Sequence, residues 1–315
     1  MLDYTDRHFR VLMRQISKRS LLYTEMVVAK ALYHSNRRDK LLDFDKIEHP
    51  LSLQIGGDDP KTLSEASLIA ESWGYDEINL NLGCPSQKVQ LGNFGACLMA
   101  EPDLVARCIE AMTKASSLPV TVKHRVGIDD LDNDYLLVNF VDKLAAAGAQ
   151  RFTIHARKAW LKGLNPKQNR TIPPLQYERV IDLKKQRPGL IIELNGGLDT
   201  PEKCFEALKK CDGVMVGRAA YKHPLRWQNM DEIIFGEPHK LIKPSNILRK
   251  MIPYAETHLN NNGRLWDICK HTLQLVEGVA GARSWRNKFG KKAQKRNAGL
   301  DVIEEAALQL EDAGL

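Results

Sequence analysis

Through its first three quarters the chain alternates short β-rich apolar runs with amphipathic helical patterns, and that alternation leaves few folds open. Strands are expected at 21–28, 51–56, 78–82, 120–126, 152–155, 190–194 and 214–216. Between them, residues 5–16 carry Phe9, Leu12, Met13 and Ile16 at helical spacing, and 64–73 and 101–115 behave alike. Asp199-Thr200-Pro201-Glu202 reads as a helix start, because proline is tolerated in a first turn. Such alternation predicts an α/β fold with a parallel sheet and crossover helices. Polar residues gather at the C-terminal ends of the strands, which is where a (β/α)8 TIM barrel builds its site. Seven strands are counted and the first complete element is a helix, so the first barrel strand is expected to be missing from this chain. An unclosed barrel exposes two strand edges.

After about Pro238 the strand pattern stops and the rest reads as helical. The expected domains are therefore 1–239, the barrel, and 240–315, an all-helical domain. Arg283, Arg286, Lys288, Lys291, Lys292, Lys295 and Arg296 cluster there, with Trp285 and Phe289 among them. A basic patch with interleaved aromatics suits an RNA backbone and splayed bases. The plainer reading is a solvated helix face with core aromatics, and the cluster alone does not separate the two.

The net charge of +7 points toward an anionic partner, although so modest an excess also serves solubility. No apolar run approaches the roughly 20 residues that span a bilayer, so no membrane association is expected. The N-terminus is polar and charged from Asp3 to Arg10, unlike a signal peptide. The six cysteines form no CxxC pair and no metal spacing, so reduced thiols, a cytoplasmic location and no metal are expected. No GxSxG, HExxH, P-loop or strand-following GxGxxG is present.

The chemistry-bearing residues lie at strand ends. In Glu77-Ile78-Asn79-Leu80-Asn81-Leu82-Gly83-Cys84-Pro85-Ser86, Asn79 and Asn81 share one face, and Asn81 and Cys84 lie at the mouth. Lys123 and Arg125 share a face of the next strand, His155 and Arg157 end the one after, and Gln54 sits within an apolar run. A single Gln or His in such a place is more often a satisfied structural group. Together, Gln54, Asn81, Cys84, Lys123 and His155 suggest a phosphorylated ring cofactor, its polar edge read by amides and a lysine, with a thiol opposite. Asn195-Gly196-Gly197 and Gly217-Arg218 follow the last two strands, where barrels commonly hold a phosphate; the alternative is two ordinary tight turns. Cys97, Cys108, Cys204 and Cys211 read as packing.

The runs Leu22-Tyr23-Thr24-Glu25-Met26, Gly74-Tyr75-Asp76-Glu77-Ile78-Asn79-Leu80-Asn81-Leu82-Gly83-Cys84-Pro85-Ser86, Val120-Thr121-Val122-Lys123, His155-Ala156-Arg157-Lys158-Ala159-Trp160, Asn195-Gly196-Gly197 and Asp212-Gly213-Val214-Met215-Val216-Gly217-Arg218 resemble the tRNA-dihydrouridine synthases, of the bacterial A-type branch. The loop 158–174, with Asn165-Pro166-Lys167-Gln168-Asn169-Arg170, resembles the A-type signature. The resemblance spans essentially the whole chain. It implies an FMN barrel followed by a helical tRNA-binding domain, acting as a monomer with NADPH as reductant. It implies reduction of D-loop uridines, at positions 20 and 20a for the A-type, to 5,6-dihydrouridine. Hydride would reach C6 from the reduced flavin and a proton would reach C5 from Cys84, since a thiol is a competent acid near neutral pH. By resemblance Gln54 and Lys123 hold the isoalloxazine edge, and His155, Asn195, Gly196, Gly197, Gly217 and Arg218 hold the phosphate side. Asn81 would bond the uracil edge. Arg125, Arg157, Lys158, Arg283 and Arg286 would meet tRNA. Of the Ala-Pro-Met that ends the family's first strand, only Met1 is present, a cofactor-side residue by that match, which implies a start assigned at an internal Met.

Two other readings fit part of the sequence. An FMN barrel resembling dihydroorotate dehydrogenase, acting on a small molecule, explains the phosphate loops and Cys84 but not the basic helical tail. A non-catalytic tRNA-binding protein predicts that Cys84→Ala changes nothing.

Overall fold

A computed structural model describes residues 1–238 and 241–315. The expected boundary between 239 and 240 falls on two residues outside those described. By internal packing the chain divides into one unit of Met1, Leu21–Phe44 and His49–Gly217, and a second of Leu2–Ser20, Asp45–Glu48 and Arg218–Leu315.

The first unit is a parallel sheet wrapped by helices. Its strands are β1 (Leu22–Tyr23), β2 (Val27–Val28), β3 (Leu51–Gly56), β4 (Glu77–Leu82), β5 (Val120–Arg125), β6 (Arg151–His155), β7 (Ile191–Asn195) and β8 (Gly213–Met215). β1 and β2 both pair with β3, and the order then runs β3 to β8 without a reversal. Strict sequence order, all parallel, is the winding of a (β/α) barrel; a doubly wound sheet would reverse at a switch point. Eight strands thus fill seven positions, matching the seven runs expected, and no pairing joins β8 to β1 among the described residues.

The expected strand 21–28 is interrupted at Thr24. Its hydroxyl, instead of a backbone carbonyl, accepts the Gln54 N–H (3.0 Å), so the ladder breaks into two short pieces. Elsewhere local chemistry sets the element ends. The helix Pro60–Trp73 begins four residues before the expected 64 because Asp59 accepts from Thr62 N (2.9 Å) and Pro60 takes the first position. It ends at Gly74, whose φ of 84° suits glycine. The helix Pro201–Leu208 is capped by Thr200 as the sequence predicts.

The two faces of the sheet differ sharply. Leu51, Leu53, Ile55, Ile78, Leu80, Leu82, Val120, Val122, Phe152, Ile154, Ile192 and Leu194 alternate onto one face and are buried. Helices such as Pro60–Trp73, Pro102–Ala115 and Asp134–Ala146 bring Leu63, Ile109 and Phe140 into the same core. From β3 to β7 the other face is polar: Ser52, Gln54, Glu77, Asn79, Asn81, Thr121, Lys123, Arg125, Thr153, Glu193 and Asn195. Barrel interiors are usually filled by branched aliphatics, so a polar interior marks a lumen built for something other than packing.

The second unit has no strand among the described residues. Its helices Pro244–Asn260, Leu265–Thr272, Ala282–Ala293 and Asp301–Asp312 bury Leu248, Met251, Ile268, Phe289, Ile303 and Leu310. Against the 1–239 expectation, the helix Arg7–Arg14 belongs to this unit, as do residues 218–238. Asp6, its N-cap, pairs with His271 (2.9 Å) and Lys270 (2.9 Å), and His8 bonds the Tyr254 hydroxyl (2.8 Å).

Candidate active site

Cys84 follows β4 on a loop fixed from three sides. Asn81 Oδ1 accepts from Gly83 N (3.0 Å) and from Cys84 N (3.1 Å). The Cys84 carbonyl accepts from Ala96 N (2.9 Å). Arg125 Nε donates to the Gly83 carbonyl (2.9 Å). Gly95 makes this approach possible: its φ is 81°, and a Cβ there would lie 2.6 Å from the Cys84 carbonyl oxygen. Cys84 itself is half-buried.

Beside it the amides interlock. Asn81 Nδ2 donates to Gln54 Oε1 (2.8 Å), and Gln54 Nε2 donates to Asn79 Oδ1 (2.9 Å). Across the register Asn81 faces Lys123, and His155 faces both Arg125 and Asn195. Lys123 Nζ donates to Asn195 Oδ1 (3.1 Å), and Asn195 Nδ2 donates to the Met215 carbonyl (2.8 Å). Burial, with Arg125 alongside, pushes the Lys123 ammonium down to about 8, although Cys84 and Glu193 pull the other way. A half-buried cation with one described hydrogen bond is a ready donor to an electron-rich ring edge.

The last two loops are shaped by glycine. Gly196 has a φ of 109° and its Cβ would strike the His155 ring at 2.5 Å; Gly197 has a φ of 69° and the Tyr177 hydroxyl 2.8 Å from the same position. Tyr177 OH donates to the Gly196 carbonyl (2.6 Å). At Gly217 a Cβ would meet, among the described residues, Met1 Sδ at 3.8 Å, so Met1 stands at that loop. Arg218 opens the helix Arg218–Lys222 in the second unit.

Of the residues expected to meet nucleic acid, Arg125 is corrected: it is 3% exposed and bonds the carbonyls of Gly83, Lys158 and Asn169, which makes it a loop clamp and not a surface contact. Arg157 donates to the Pro173 carbonyl. Lys158 pairs with Asp132 (3.1 Å) and lies over the Trp160 ring (4.0 Å). In the second unit Arg283 is exposed and Arg286 donates to the Val276 carbonyl (2.7 Å). Trp285 and Phe289 are buried, with Trp285 Nε1 donating to the Ala306 carbonyl (3.2 Å), so they are core and not base-stacking platforms. Burial pushes the thiols of Cys108, Cys204 and Cys269 up to about 12, in keeping with packing roles.

Sequence reasoning missed the floor beneath the mouth. Glu77 accepts from Ser52 (2.9 Å), Thr121 (2.8 Å) and Tyr23 (3.2 Å), and pairs with Arg151. Arg151 also pairs with Glu193 (3.0 Å), which accepts from Thr153 (2.6 Å). Burial alone would lower the Arg151 pKa; Glu193, Tyr23 and Glu77 reverse that and raise it. The signal was available: Glu77, Arg151 and Glu193 are charges at alternate positions of apolar strands, on the same face as Asn79, Thr153 and Asn195.

A parallel β/α sheet with a polar lumen, a clamped thiol and a half-buried lysine defines an enzyme of the barrel class, its site at the strand C-terminal ends. The family model described as "Dihydrouridine synthase (Dus)" matches residues 1–311, and the chain belongs to that family. A tRNA-dihydrouridine(20/20a) synthase of Synechocystis sp. is 51% identical over 97% of this chain and 91% of its own length. One from Pasteurella multocida is 48% identical over 97% and 93%, and one from Vibrio cholerae 47% over 98% and 94%. A solved structure of morphinone reductase in complex with tetrahydroNAD aligns at a TM-score of 0.49 and 10% identity, covering 78% of this chain and 86% of that one.

Proposed function

We propose that this chain reduces uridine to 5,6-dihydrouridine in tRNA, at positions 20 and 20a of the D-loop, as a monomeric cytoplasmic enzyme that uses FMN and NADPH. The observation that carries the reading is the thiol of Cys84, clamped at the barrel mouth through Asn81, Ala96 and Arg125, in the same lumen as the half-buried Lys123. Family membership and the names of the relatives agree with it.

The residues present suit a flavin phosphate. Lys123 and Gln54 offer N–H donors for a ring edge, Gly196 and Gly197 shape a tight turn against His155 and Tyr177 beside Asn195, and Gly217 leaves its backbone open to close approach, with Arg218 next in the chain. FMN, when bound and reduced by NADPH, supplies the hydride. The chain supplies the rest. Cys84 Sγ holds the proton that C5 needs, and its fixed backbone keeps the thiol in one place during that transfer. Asn81 has a second amide N–H for the uracil edge. A uridine must leave its stack to reach this depth, and cations such as Arg157, Lys158, Arg283 and Arg286 offset that cost through phosphate contacts. No helix among the described residues is long and apolar enough to cross a membrane.

The test is Cys84→Ala. The expected variant retains the visible flavin spectrum and the rate of flavin reduction by NADPH, and loses dihydrouridine formation in unmodified tRNA. Wild-type dihydrouridine formation by that variant would overturn the assignment of the proton donor.

A further inference from the structure

Five hydrogen bonds run in a single sense through the lumen. Cys84 N donates to Asn81 Oδ1 (3.1 Å), Asn81 Nδ2 to Gln54 Oε1 (2.8 Å), Gln54 Nε2 to Asn79 Oδ1 (2.9 Å), Asn79 Nδ2 to Thr121 Oγ1 (2.8 Å), and Thr121 Oγ1 to Glu77 Oε1 (2.8 Å). An amide can present either end to a neighbour, so each middle link is reversible by itself. The two ends are not. Backbone N–H groups only donate, and an ionised carboxylate only accepts. Arg151 pairs with the other oxygen, Glu77 Oε2.

We propose that Glu77 is a positioning residue, whose charge sets the donor–acceptor sense of Asn79, Gln54 and Asn81 and thereby holds the Cys84 backbone in place. Its catalytic consequence rests on the reading of Cys84 given above; its geometry does not. In this sense Gln54 and Asn81 each keep a second N–H, so the mouth presents donors to carbonyl oxygens.

Replacing Glu77 by Gln shows why the charge matters. Arg151 takes the new amide oxygen, which turns the amide N–H groups toward Thr121. One donor hydrogen, that of the Thr121 hydroxyl or one nearer the mouth, must then go without an acceptor somewhere between residue 77 and Cys84. Asn79 and Thr121 are 0% and 1% exposed, and an unpaired polar group there is costly. Asn81 and Cys84 are half-buried, where water can take the broken ends. The conflict therefore relaxes at the mouth: the amides reverse, and Asn81 lets go of the Gly83 and Cys84 N–H groups.

The experiment uses the flavin-loaded protein with Glu77→Gln, Thr121→Ser and Thr121→Val. Amide hydrogen exchange is read residue by residue, and tRNA reduction is measured in parallel. In Glu77→Gln, exchange at Gly83 and Cys84 rises about tenfold, the factor equivalent to one hydrogen bond of about 1.4 kcal/mol. Exchange on β5 to β7 stays within about twofold of wild type. The kcat for tRNA falls about tenfold with KM unchanged, as expected when only a transition-state contact is lost. Thr121→Ser keeps the hydroxyl and behaves as wild type. Thr121→Val cuts the link while leaving the ion pair, and gives the same selective rise, so the test survives a Glu77→Gln protein that does not fold. Unchanged exchange at both amides, or a rise spread evenly over every strand, overturns the proposal. If the wild-type protein reduces no uridine, the functional reading fails and the exchange pattern still decides the positioning role.

Discussion

Gly95→Ala tests whether backbone proximity places Cys84. The φ of 81° at Gly95 costs a residue with a Cβ about 1–2 kcal/mol. The new methyl would also sit 2.5 Å from Val89 Cγ1 and 2.6 Å from the Cys84 carbonyl oxygen. Relieving that overlap is overpacking, worth about 1–3 kcal/mol. Gly74→Ala supplies the matched control: its φ is 84°, and nothing among the described residues lies within 4 Å of the added methyl. Both variants share the conformational penalty and the unfolded-state entropy effect, which cancel in the comparison. Gly95→Ala is therefore expected to lose about 1–3 kcal/mol more than Gly74→Ala. At a urea slope of about 3 kcal/mol/M that is about 0.3–1 M in midpoint. Because the displaced atom belongs to Cys84, dihydrouridine formation should also fall about tenfold in Gly95→Ala and hold in Gly74→Ala. Equal midpoints and equal turnover for the two variants would refute the reasoning.

Lys123 lies at about 8 in the folded chain against an ordinary 10.5, chiefly through burial. Between those values the unfolded chain holds a proton that the folded one has released, so stability rises with pH across about 8 to 10.5. Lys123→Met should flatten that rise in thermal midpoints of the flavin-free protein, and parallel curves for the two would contradict it. Asp6 behaves in the opposite way: burial opposes its charge, but His271 and Lys270 outweigh that and hold the carboxyl well below its ordinary 3.8. Its stabilisation is present above that value and is lost as pH falls below it. Asp6→Asn keeps the helix cap and breaks the ion pairs, so it should cost about 1–3 kcal/mol at neutral pH. That gap should close on acidification, and urea titrations at both pH values measure it.

Much of this was readable in the sequence because strand and site share one signal. Alternation places Asn79 and Asn81, or Lys123 and Arg125, on one face while their neighbours fill the core, and all four lie where that pattern puts them. What stayed hidden depended on partners distant in the chain. Arg125 reads as a strand-end cation suited to phosphate, and only the fold brings the carbonyls of Gly83, Lys158 and Asn169 around it. Trp285 and Phe289 are spaced among cations as RNA-binding aromatics would be, yet the helix turns both inward. Thr24 interrupts a strand through its side chain, which propensity does not register. Helix Arg7–Arg14 precedes the barrel in sequence but packs with the C-terminal helices, because Asp6 and His8 find their partners there.

The polar lumen sets this chain at odds with selection for heat resistance. Ion pairs such as Glu77–Arg151–Glu193 contribute less to stability than well-packed aliphatics of similar volume. A laboratory lineage screened only for survival at high temperature would accumulate Leu, Ile and Val at Ser52, Thr121 and Thr153, converging on the interior of an ordinary barrel. Its descendants would be sturdier proteins with no room for a substrate, so a thermostable version of this enzyme has to be sought on the helices and loops outside the sheet.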